Sequence, residues 1–186
     1  MKKWTRVLVL LLVALQIAVF PLSSLATEGD AHLTSNREVS FQTDDDVSLL
    51  AAELTKDKHT TEEKAMAIYN YIVSNFSYDW KLYEQVVSKQ ITRYTPDPNT
   101  ALQAQKGICY DITSLYAAMC RSVGIPTKLV KGYVSTTKYY HAWNSVYDDA
   151  KGEWIAMDLT TDILLGKSAS ASWRKLKKKV VAVKEA

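Results

Sequence analysis

Ile112, Leu115, Tyr116, Met119, Cys120 and Val123 recur at i, i+3, i+4, i+7, i+8 and i+11. That spacing is one apolar stripe of an α-helix. Gly124 and Pro126 close it in the order a helix C-terminus favours, a glycine and then a residue that cannot continue the helix. Three β-like runs follow at 127–134, 141–147 and 154–160, and Asp148-Asp149-Ala150-Lys151-Gly152 between the last two reads as a hairpin connection. A helix with an apolar side, followed at once by consecutive strands, must bury that side on the sheet they form. The pattern predicts an α+β domain in which a central cysteine-bearing helix packs on an antiparallel sheet.

Shorter helices are expected upstream. Asp44, Asp45 and Asp46 place acids at the positive end of a segment carrying Val47, Leu49, Leu50 and Leu54. Thr60-Thr61-Glu62-Glu63 is a capping box, followed at helical spacing by Ala65, Ile68, Tyr69, Ile72, Val73 and Phe76. Between 77 and 99 the periodicity weakens, and Pro96 and Pro98 mark a loop before a short turn at 100–105. Residues 43–166 form the expected domain. Residues 27–42, polar and aperiodic, read as a flexible lead-in.

The first 26 residues have the three parts of a secretory signal peptide. Lys2, Lys3 and Arg6 precede the apolar run 7–20, which only Gln16 interrupts, and Ser24 and Ala26 stand at the third and first positions before a cut. The apolar run falls short of the roughly 20 residues a spanning helix needs, so no stable membrane span is expected after cleavage and the product is expected to be secreted or held in the cell envelope. No cysteine near the cut supports a lipid anchor. The leader carries the whole formal charge of +3, so the mature chain is neutral. That neutrality is uneven, because residues 167–186 hold seven basic groups and one acidic group. A basic cluster at one terminus, rather than on a folded face interleaved with aromatics, argues against nucleic acid as a partner. It reads as a solvated basic helix or tail, with contact to an anionic envelope surface as the sharper alternative.

Two cysteines in a secreted chain invite a disulfide, but Cys109 and Cys120 belong to one expected helix. At ~1.5 Å per residue their Cα atoms stand too far apart for the ~7 Å limit of a bridge. Cys120 lies in the apolar stripe and is a core residue. Cys109 follows Gly107 at the helix N-terminus, where unpaired N–H groups and the helix dipole favour the anionic form of a thiol. A thiolate there can act as a nucleophile.

Such a nucleophile needs a base. Of the three histidines, only His141 lies on an expected strand after the cysteine helix. If Asp148 opposes Lys151 across the hairpin, the same register places His141 directly opposite Asp158. Opposed residues share a face with Cβ atoms ~4.5–5.5 Å apart, within reach of an imidazole–carboxylate hydrogen bond. A slip of one residue would send them to opposite faces. Asp158 would then orient the imidazole while His141 takes the Cys109 proton.

Five blocks in order resemble the transglutaminase-like superfamily. They are Gly107-Ile108-Cys109-Tyr110-Asp111, Arg121-Ser122-Val123-Gly124-Ile125-Pro126, Gly132-Tyr133, His141-Ala142-Trp143-Asn144 and Trp154-Ile155-Ala156-Met157-Asp158-Leu159-Thr160. Weaker echoes at Glu63-Lys64-Ala65 and Tyr78-Asp79 extend the match upstream. The resemblance, to a small secreted bacterial member, implies a papain-like core with Cys109, His141 and Asp158 as nucleophile, base and orienting acid. Papain itself fits less well, because its histidine lies much further downstream of the cysteine. The family also implies a turn at Gly124-Ile125-Pro126 into the first core strand and Trp143 packed beside the site. A second oxyanion donor besides the Cys109 N–H stays open among Tyr78, Gln103 and Gln105.

The chemistry that follows is acyl transfer through a thioester on amides of protein or peptide substrates, cell-wall peptides among them. Water as acceptor gives a peptidase or amidase, which the resemblance favours. An amine acceptor gives a cross-linking transglutaminase. The rival from another class is a non-catalytic binding module that docks partners on Tyr133, Tyr139, Tyr140, Trp143 and Tyr147. No metal-ligand spacing or calcium loop is present and no cofactor is called for.

Overall fold

The helices begin where side chains can satisfy their first N–H groups. Asp45 accepts from the Ser48 amide at 2.9 Å and opens α1 (Asp46–Thr55). Thr60 and Glu63 form the expected capping box at the start of α2 (Thr61–Asn75). Asp79 accepts from the Leu82 amide at 3.0 Å and starts α3 (Trp80–Val87), while Asp97 starts α4 (Pro98–Ala104). The computed structural model of the chain describes residues 30–134, 140–166 and 180–185. The leader and residues 167–179 of the basic segment lie outside them.

The central helix, α5 (Cys109–Ser122), carries the fold. Its stripe is wider than the sequence pattern indicates, because every residue from 111 to 121 is buried. The sheet lies on one side and α1, α2 and α4 lie on others, so little of its circumference meets water. The main sheet contains β3 (Thr127–Val134), β4 (Tyr140–Asp148), β5 (Glu153–Met157) and β6 (Val180–Glu185), in the order β5-β4-β3-β6 with every neighbour antiparallel. Leu129, Val146, Ile155 and Met157 join α5 in the core. Asn144, fully buried, donates from Nδ2 to the Thr113 carbonyl at 2.9 Å and to the Lys128 carbonyl at 3.2 Å, tying the sheet to the helix. Two short strands, β1 (Ser77–Tyr78) and β2 (Lys106–Gly107), pair in parallel and align Tyr78 with Gly107, just ahead of α5.

Three expectations need correction. Residues 30–42 are not a flexible lead-in. Val39 is fully buried, and the Asn36 carboxamide oxygen accepts from the Glu38 and Val39 amides at 2.9 Å. Buried Arg121 donates to the Thr34 carbonyl, and the Ser114 hydroxyl donates to the Glu38 carbonyl. An aperiodic strap of this kind gains its order from the surface it crosses, so periodicity gives no sign of it. Residues 180–185 of the C-terminal segment form an edge strand rather than a solvated helix or tail, paired with β3 from Val130↔Glu185 to Val134↔Val180.

The third correction concerns the hairpin register. Asp148 opposes Glu153, not Lys151, and the ladder runs to Asn144↔Met157. Gly152 has φ +66, a conformation that suits a turn and not a ladder, and its N–H donates to the Asp148 carbonyl at 2.8 Å. The connection is therefore four residues long, and every pairing moves by two. A two-residue shift preserves the faces, so His141 and Asp158 stay on the same side although they are not directly opposed.

Candidate active site

The loop before α5 is pinned from several directions. The Asp111 carboxylate accepts from the Ile108 N–H at 2.9 Å and from the Tyr94 hydroxyl at 2.6 Å. A Cβ on Gly107 would come within 2.5 Å of the Asp111 Cβ, so only glycine lets the chain pass this close. These contacts hold Cys109 as the first residue of the helix, partly exposed, whereas Cys120 is fully buried and both are free thiols. Burial pushes the Cys120 thiol up to about 12, which keeps it in the inert protonated form.

The imidazole of His141 hydrogen-bonds Asp158 and stands beside Cys109. Its Nε2 is 3.0 Å from Asp158 Oδ2, and the Cys109 side chain is near enough to act on the ring. Asp158 follows β5 and caps α6 (Leu159–Leu164), with Oδ1 accepting from the Thr161 amide at 3.0 Å and Oδ2 accepting from the Thr161 hydroxyl at 2.8 Å. It is 3% exposed. The pair thus forms because Asp158 leaves the strand as a helix cap, rather than through a ladder pairing. Trp143 lies beside the imidazole as the family resemblance implies, its ring 6.2 Å away and inclined by 23°. Burial opposes charge on His141, but the hydrogen bonds and negative charges of Asp158 and Cys109 outweigh it and raise the imidazole to about 9.

Tyr78 separates itself from the other two oxyanion candidates. Its phenol lies close enough to Cys109 to be acted on by both the thiol's charge and the Cys109 backbone. Burial first, and then the charge of Cys109, raise the phenol well above its ordinary range, so the hydroxyl keeps its proton. Gln103 and Gln105 are exposed. Tyr78 was one of the three donors that the sequence left open.

A cavity of about 680 Å³ opens beside Cys109 and His141. The profile described as the transglutaminase-like superfamily matches residues 49–159, more than half of the chain and all three predicted site residues. The chain belongs to the transglutaminase-like superfamily. The kyphoscoliosis peptidase of Homo sapiens is 29% identical over 121 residues, covering 60% of this chain and 17% of that protein. The YebA protein of Bacillus subtilis (strain 168) is 28% identical over 131 residues, covering 61% of this chain and 17% of that one. This transglutaminase-like chain thus spans about a sixth of these relatives' length. Among solved structures, a candidate cysteine protease from Cytophaga hutchinsonii aligns with TM-score 0.59 at 20% identity, over 89% of this chain and 57% of that one. At that identity the likeness is one of fold.

Proposed function

We propose that this chain is a secreted thiol-dependent acyl-transfer enzyme acting on amide bonds of protein or peptide substrates, with water as the usual acceptor. The observation that carries this reading is the imidazole held at Nε2 by Asp158 and standing beside a thiol at a helix N-terminus. In the first step the Cys109 sulfur attacks the amide carbon. The oxygen that becomes negative lies between the Cys109 N–H and the Tyr78 hydroxyl, whose neutral state leaves it able to donate. His141, protonated, passes its Nδ1 proton to the departing amine as the C–N bond breaks and a thioester remains. His141 then takes a proton from water, the hydroxide releases a carboxylic acid, and the thiolate–imidazolium pair is restored. Asp158 holds the ring and offsets its charge throughout.

The preference for hydrolysis is supported by the peptidase and protease names of the relatives. Secretion is supported by the leader pattern, and anionic cell-envelope surfaces are the contact proposed for the basic C-terminal segment. Iodoacetamide labelling tests the reading. Cys109 should alkylate quickly below pH 7 while Cys120 stays unlabelled, and Cys109→Ala should abolish peptide cleavage without altering the far-UV spectrum. Labelling as slow as that of a free thiol would favour a binding module. Amine incorporation into a glutamine donor exceeding ammonia release would favour the cross-linking alternative.

A further inference from the structure

Helix α3 is amphipathic, yet it buries none of its residues. Trp80 and Val87 are 58% and 60% exposed. Tyr83, Val86 and Val87 line the cavity beside Cys109, and Ile91, beyond the helix, extends the same wall. Apolar side chains kept out of the core and gathered along the approach to a reactive group mark a ligand-binding surface.

The charges of the cavity point the same way. Lys131, 14% exposed at its side chain, is bonded to both Glu38 carboxylate oxygens at 2.7 and 2.8 Å, and its ammonium lies 4.9 Å over the Tyr110 ring. The chain itself therefore neutralises the most enclosed cation. Lys89 also lines the cavity but is exposed, where water screens it. A charged substrate group entering here would lose hydration without gaining an unmatched countercharge.

We propose that the α3 side of the cavity selects amides flanked by an uncharged aliphatic or aromatic side chain, which Val86, Val87 and Ile91 contact. This assignment deepens the acyl-transfer reading and rests on Cys109 being its reactive thiol. The volume of about 680 Å³ lies in the range of small-molecule sites, so the cavity can take such a side chain together with adjoining backbone.

The test uses three iodoacetamides, N-benzyl, N-carboxymethyl and N-aminoethyl, with the rates of Cys109 alkylation followed by intact mass at pH 9. Each rate is divided by that of glutathione with the same reagent, which removes intrinsic reactivity. The benzyl reagent should exceed both charged reagents by about tenfold. Val87→Asn, and separately Val86→Asn, should erase most of that preference, whereas Leu165→Asn, an exposed site outside the cavity lining, should keep it. A preference no greater than that of glutathione overturns the proposal, as does a preference that survives both valine substitutions. Slow labelling by plain iodoacetamide below pH 7 counts against the catalytic reading alone, because at pH 9 the reagent preference is still measurable.

Discussion

The Asp158 carboxylate divides its oxygens between a helix and an imidazole. Its charge is one of the influences that raise His141, so the pH behaviour of the site follows from it. The raised imidazole contributes stability that is fully present below its ordinary 6.5 and is lost as pH rises through about 9. Activity that needs the imidazolium should fall over the same upper range. Asp158→Asn removes the charge but leaves the burial that disfavours imidazolium, so the basic limb of kcat/KM should move to lower pH and the rate should drop by about 10²-fold or more. A pH–rate profile of the two proteins checks both. Tyr78→Phe deletes a hydroxyl and little else. It should lower kcat by about 10²-fold with KM nearly unchanged, which steady-state kinetics would show.

At the scale of elements, the residues before α1 give the clearest prediction. Val39 is fully buried in the main core, so Val39→Ala should cost ~2 kcal/mol in a urea titration. A freely mobile segment would show no change. This segment also shows what a sequence hides. The α5 stripe and strands β3, β4 and β5 were legible because they repeat with a period fixed by backbone geometry, and the capping box at Thr60 because its residue types are specific. Cys109 and His141 stood out because few residues can supply a nucleophile and a base. The strap at 30–42 has no period, since its partners, Arg121 and Ser114, lie far along the chain. Helix α3 was missed because its eight residues contribute nothing to the core. The hairpin register was two residues out because Gly152 belongs to the turn, yet the pairing of His141 with Asp158 was still read from the sequence because face alternation survives an even shift.

At the scale of the whole molecule, β6 determines how β3 meets its surroundings. With 180–185 in place, β3 is hydrogen-bonded on both sides, to β4 and to β6. A chain ended at residue 166 should keep the Cys109 helix and its groove but leave the outer amides and carbonyls of β3 unpaired. Such a row is a template for further strands, so this shortened protein should scatter light at concentrations where the full chain stays clear. Proteolytic loss of the last residues would then act first on self-association, recruiting copies of the chain edge to edge while the Cys109 groove stays in place.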